Sequence, residues 1–144
     1  MNQVQALAER TIAAPVDRVR AAVADYRETR SRILTGHFSD YEVKSGGTGA
    51  GTVVHWRLQA TKKRVRDCLF EVSEPTPGAL VEADRNSTLV TTWTVEGNDA
   101  TSTVRIATTW EGANGVKGFF ERTFAPAGLK RIHDELLANL AAAL

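Results

Sequence analysis

Polar and apolar positions alternate with a period of two at the start of the chain, then change to 3.6 for a short stretch. They return to two through the middle and finish at 3.6. Val4 to Ile12 reads as a strand, with Val4, Ala6, Ala8 and Arg10 on one face and Leu7, Glu9 and Thr11 on the other. Ala13-Ala14-Pro15 ends it. Proline has a fixed φ and no amide proton, so it suits a first helical turn. Pro15 therefore opens a helix in which Val16, Val19, Ala22 and Val23 share one side, opposite Asp17, Arg18 and Arg20. That helix breaks near Asp25-Tyr26, and a second short one is expected from Arg27 to Leu34, ended by Gly36.

From His37 the pattern is that of strands. Phe38, Tyr41 and Val43 mark one that ends at Ser45-Gly46-Gly47. Thr52 to Ala60 sets Val54, Trp56 and Leu58 against Val53, His55 and Arg57. Lys62 to Glu74 sets Cys68, Phe70 and Val72 against Asp67, Leu69 and Glu71. Glu74-Pro75-Thr76-Pro77-Gly78 has the chemistry of a turn. Leu80 to Arg85, Leu89 to Glu96 and Thr101 to Trp110 complete a meander. The connections are short, so neighbouring strands are antiparallel; a parallel return needs a longer crossover. After Gly112 the spacing is helical. Phe119, Phe120 and Phe124 form one patch, and Leu129, Ile132, Leu136 and Leu140 form a stripe bordered by His133, Leu137 and Leu144. Pro126 falls between the two and predicts a kink or a division of the helix.

Composition narrows the function classes. The 144 residues fit one domain spanning 1–144, with no internal repeat. A net charge of +1 argues against nucleic acid as a partner, since such binding neutralises many phosphates. Cys68 is the sole cysteine, which excludes an intrachain disulfide and any multi-thiolate zinc site. Neither a signal-peptide pattern nor an apolar run long enough to cross a bilayer is present, so the expectation is a soluble cytoplasmic protein without integral membrane association. The glycines at 46–47, 49 and 51 lack the Lys-Ser/Thr of a phosphate loop and precede a strand, which makes them a hairpin turn.

One strand, two short helices, six strands and a long terminal helix is a distinctive order. With the opening Thr11-Ile12-Ala13-Ala14-Pro15-Val16-Asp17-Arg18-Val19, it resembles the START-like (SRPBCC) superfamily, which holds the birch-pollen allergen proteins, lipid-transfer domains and polyketide cyclase/dehydrase-like proteins. The chain is most similar to the last group, in its small bacterial stand-alone form, over essentially its whole length. The resemblance implies an α+β helix-grip fold: a curved antiparallel sheet of about seven strands wrapped around a long C-terminal helix. It also implies a cavity between them, with a mouth near the short helices.

The expected function is binding, transport or sequestration of a hydrophobic small molecule such as a lipid, fatty acid, isoprenoid or polyketide. One alternative is a polyketide cyclase or dehydrase that moves a proton with one or two pocket groups and needs no metal or nucleotide cofactor. A second is a co-chaperone-like protein partner. Candidate ligand-binding residues are Trp56, Leu58, Arg66, Phe70, Trp93, Ile106, Trp110, Phe120, Phe124, Leu129 and His133. For the apolar ones the competing reading is core packing. For Arg66 it is a side chain reaching solvent, and for His133 a rim histidine. The titratable candidates for catalysis are His37, His55, His133, Glu82, Asp84 and Tyr41; alternation turns His55 outward. Three dispersed histidines without ligand spacing make a metal site a poor reading. Arg27, Arg30 and Arg32 crowd the second helix near the expected mouth and read as a solvated cluster, the alternative being attraction of an acidic ligand or a membrane surface; Lys62-Lys63-Arg64 reads as a charged hairpin.

An enzyme predicts that His37, Arg66, Asp84 or His133 enters a cavity with another polar group nearby. A binder needs only the apolar cavity. A partner protein needs a filled core and an exposed apolar patch.

Overall fold

The computed structural model describes residues 3–61, 64–111 and 126–144. The elements in chain order are β1 (Gln3–Ile12), α1 (Val16–Ala24), α2 (Thr29–Arg32) and β2 (Phe38–Ser45). Then come β3 (Val53–Thr61), β4 (Arg64–Thr76), β5 (Ala79–Asp84), β6 (Val90–Gly97), β7 (Ser102–Glu111) and α3 (Pro126–Ala143). The strands form one antiparallel sheet in the order β1-β7-β6-β5-β4-β3-β2. Period-two alternation needs one buried face and one solvated face, which an antiparallel sheet covered on one side supplies. Register shifts in the β2–β3, β3–β4 and β4–β5 pairings mark irregularities of the kind that bend a sheet. α3 lies in the resulting concavity, so the helix-grip expectation holds.

The inward row of each strand is the expected one. Val54, Trp56 and Leu58 are buried, as are Cys68, Phe70 and Val72, and Trp93 and Val95. α3 buries Leu129, Ile132, His133, Leu136, Leu137 and Leu140, a stripe at three- and four-residue spacing. The Nδ2 of Asn139 donates to the Ile33 carbonyl at 2.8 Å, which fastens α3 to the segment that follows α2.

The boundaries of α2 and β4 differ from the sequence reading in ways that have a physical cause. α2 spans Thr29–Arg32 rather than Arg27–Leu34. The Asp25 carboxylate accepts from the Arg27 and Glu28 amides, which holds that stretch as an Asx turn before the helix starts. β4 runs beyond Glu74 to Thr76, and only Pro77-Gly78 turn, with Gly78 at a φ of 83°. Pro126 is the first described residue of α3. The expected kink and the Phe119 to Phe124 segment lie outside the described residues, as do Lys62 and Lys63.

The connection between β2 and β3 docks on the α1–α2 junction. Tyr26 donates its amide to the Gly47 carbonyl and Gly49 donates to the Ala24 carbonyl. Gly46 has a φ of 70°, and a Cβ there would stand 2.8 Å from the Thr52 Cα. The turn therefore requires glycine at that position.

Candidate functional site

Strand pairing lays a polar row across the concave face. Glu82 on β5 is the register partner of Thr91 on β6, and Thr91 is the partner of Thr108 on β7. All three are buried. Two residues along each strand, on the same face, Leu80, Trp93 and Ile106 form a parallel apolar row.

Arg30 closes one end of the polar row from α2. Its Nη2 donates to Glu82 Oε2 at 2.7 Å and its Nη1 to the Val23 carbonyl at 3.1 Å. The guanidinium lies over the Tyr26 ring at 4.5 Å and the Trp93 ring at 4.2 Å. Tyr26 donates its hydroxyl to the same Glu82 oxygen at 2.5 Å. Arg30 is 5% exposed and Glu82 1%, so each charge depends on the other for compensation. Burial alone would weaken the Arg30 charge, but the Glu82 carboxylate outweighs it and holds the guanidinium protonated. Burial, followed by the Glu82 charge, pushes the Tyr26 phenol far above its ordinary range. Tyr41 donates to the Tyr26 carbonyl at 2.5 Å and is itself raised to about 12, chiefly by burial.

His133 closes the other end from α3. Its Nε2 is 2.8 Å from Thr108 Oγ1, which is 2.7 Å from Thr91 Oγ1. Its Nδ1 is buried with no hydrogen-bond partner among the described residues. Burial lowers the imidazole to about 4, which the neighbouring Asp134 carboxylate only partly opposes, so the ring is neutral at physiological pH.

A cavity lies between this floor and α3. Trp56, Leu58, Phe70 and Leu89 bound it on the sheet side, with Trp93 and Ile106. Ile33, Leu34 and Phe38 form the wall next to α2, and Leu129 and Leu136 come from α3. Trp56 packs against two further rings, stacked on Tyr41 at 6.1 Å and tilted on Phe70 at 4.7 Å. Among the described residues the polar lining is Arg30, Glu82, Thr91, Thr108 and His133. Room for the centres of water molecules is about 40 Å³, within a concavity of about 510 Å³ when the open mouth is included. The free interior thus suits two or three waters on the order of 10–15 Å³ each. Among the described residues no cluster of three or more His, Cys, Asp or Glu side chains could hold a metal. No described helix is long and apolar enough to cross a membrane.

The pattern of a protein family described as polyketide cyclase / dehydrase and lipid transport matches residues 3–144. The chain belongs to that family. No curated protein matches the chain in sequence. This family member is similar to the KanY protein (ms6282), solved by NMR: 50% identity, 99% of this chain and 98% of that one covered, TM-score 0.89. It is also similar to major latex-like protein 151 of Panax ginseng, at 11% identity over 98% of this chain and 97% of that one, with a TM-score of 0.73. The Zhui aromatase/cyclase of Streptomyces sp. R1128 matches at 14% identity, 99% and 90% coverage and a TM-score of 0.61. At such identities the last two speak for the helix-grip fold that this family member shares with them.

Seven of the candidates named from sequence meet at the cavity: Trp56, Leu58, Phe70, Trp93, Ile106, Leu129 and His133. Arg66 is half-buried opposite Leu58 and does not border it. Trp110 is fully buried opposite Val4 of β1, also outside the lining. Phe120 and Phe124 lie outside the described residues.

The other titratable groups are occupied elsewhere. Asp84 accepts from the Leu69 and Asn86 amides and the Ser87 hydroxyl, which fixes the β5–β6 turn. His55 faces outward, 2.7 Å from Asp67, whose hydrogen bond raises it. His37 stays 2.8 Å from Thr35 Oγ1. Cys68 is buried, and that burial pushes its thiol up.

The charged lining residue that the sequence reading misplaced is Arg30, set there among solvated arginines. The available signal is Glu82, which alternation places on the face of Leu80. A carboxylate on an apolar face demands a cation.

Proposed function

We propose that this family member binds a hydrophobic small molecule between its sheet and α3, to carry or sequester it. The observation that supports this reading is the apolar cavity whose polar groups are confined to a single row. Ligand pockets have that makeup: an apolar wall supplies affinity and a few placed polar groups supply orientation. The resting cavity of about 40 Å³ is far below the several hundred Å³ of such pockets. Loading therefore widens the gap between α3 and the sheet, and the Asn139–Ile33 bond is the clasp that yields. Native mass spectrometry of protein purified from its own cells, followed by solvent extraction, tests the reading. The expected result is a retained apolar molecule. Protein that emerges empty and takes up no apolar probe would overturn it.

The second reading, a cyclase or dehydrase that transfers a proton, is favoured by His133. It is a neutral imidazole lining the cavity with a second polar group, Thr108, at 2.8 Å. Turnover of a poly-keto substrate that is lost in His133→Phe would establish it. The protein-partner reading has less support. Among the described residues the large exposed apolar side chains are Leu7 and Val65, on strands far apart in the sheet.

A further inference from the structure

Counting protons along the polar row fixes what its open end can do. Thr91 Oγ1 and Thr108 Oγ1 are bonded to each other, and Thr108 Oγ1 is bonded to His133 Nε2. Each hydroxyl has one proton, and a neutral imidazole has one N–H. Suppose that proton is on Nε2. It then donates to Thr108, Thr108 donates to Thr91, and the Thr91 proton has no acceptor among the described residues. The Nδ1 lone pair is idle as well. Suppose instead that it is on Nδ1. Thr91 then donates to Thr108, Thr108 donates to Nε2, and both hydroxyl protons are used. One group alone is left unmet, the buried Nδ1–H. Each arrangement leaves one buried donor unmet, but the first also strands a buried acceptor at Nδ1, so the second, with a single unmet group, is the more stable.

The charges along the cavity point the same way. Arg30 is the charged donor in the lining, and Glu82 at 2.7 Å already neutralises it. His133 is neutral, its imidazole lowered by burial. A carboxylate brought inside would lose its hydration, find no uncompensated cation in the described lining and meet the Glu82 charge. A ketone or other neutral carbonyl costs far less to desolvate, and once loading parts α3 from the sheet it offers the acceptor that the enclosed Nδ1–H lacks.

We propose that the ligand is a neutral apolar molecule bearing a carbonyl oxygen, which accepts a hydrogen bond from His133 Nδ1–H, and that carboxylate-headed lipids are rejected. This rests on the hydrophobic-ligand reading and names the chemistry of that same site.

Two measurements test it. Nitrogen-15 NMR of histidine-labelled protein reads the His133 tautomer directly, and the expected result is Nδ1–H. Quenching of tryptophan fluorescence, with Trp56 and Trp93 in the lining, gives affinities for three probes of one shape: 2-acetylnaphthalene, 2-ethylnaphthalene and 2-naphthoate. The ketone should bind roughly 3–10-fold tighter than the hydrocarbon, the ratio of one buried hydrogen bond, with the carboxylate weakest. His133→Phe should erase the ketone preference and leave hydrocarbon binding in place, whereas His133→Gln, which keeps an N–H, should retain part of it. Thr108→Val, without the hydroxyl that holds Nε2 as acceptor, should also reduce the preference, and it serves if the Phe variant does not fold. An Nε2–H tautomer, equal binding of ketone and hydrocarbon, or tightest binding of the carboxylate would overturn the carbonyl inference alone. Binding of none of the three would overturn the hydrophobic-ligand reading along with it.

Discussion

Glu82 Oε2 accepts from both Arg30 and Tyr26 where almost no solvent reaches, so the carboxylate cannot be removed without stranding a cation. Glu82→Leu should lower stability by about 3–5 kcal/mol in urea titrations, the cost of breaking a buried pair from one side. Adding Arg30→Met should recover most of that loss, because an apolar pair of similar volume needs no compensation. His133 gives a pH dependence whose sign follows from its neutral folded form. Its folded value is about 4 against 6.5, so the unfolded chain binds the proton more readily. Stability is full above pH 6.5 and falls by about 3 kcal/mol as the pH drops toward 4. Denaturant midpoints at pH 7 and pH 4.5 should show that fall, and His133→Gln should reduce it. His133 is legible in sequence because it borders an obvious apolar stripe. Arg30 is not: Arg27 in the turn before it and Arg32 on the same short helix are exposed, and a tertiary contact with Glu82 separates it from them.

Among the elements, the strands are legible and the short helices are not. Alternation states which face is buried, and a slip of one residue would turn Trp56, Phe70 and Trp93 into solvent, so the pattern over-determines the register. α2 has four residues, and side-chain bonds from Asp25 and Ser31 to the backbone of residues 27 and 28 hold its start, where periodicity is silent. Its attachment to α3 rests in part on Asn139. Asn139→Ala should cost about 1 kcal/mol overall. Its clearer signature is faster amide exchange in residues 29–34, with exchange in the β6–β7 pair unchanged.

For the whole molecule, the sheet and helix follow from pattern, but the space between them does not. Periodicity tells which side chains face inward; whether their volumes fill the interior depends on distances no sequence window contains. A cavity of about 40 Å³ is the outcome. Leu136→Phe should occupy it, leaving stability within about 1.5 kcal/mol of the parent while abolishing quenching by 2-ethylnaphthalene. A variant that folds as well but binds nothing would separate the cavity's role from the core's. The pairing of β1 with β7 has a consequence of another kind. Gln3 meets Glu111 and Ile12 meets Ser102, so the first strand synthesised must wait for the last. A nascent chain emerging from the ribosome carries β1 without its partner for most of its synthesis, and closing so distant a contact is slow. The buried Ala6, Ala8 and Ile12 face then stands open. The small Ala6 and Ala8 and the charged Glu9 and Arg10 are features of the kind that make such a waiting edge a poor template for another chain.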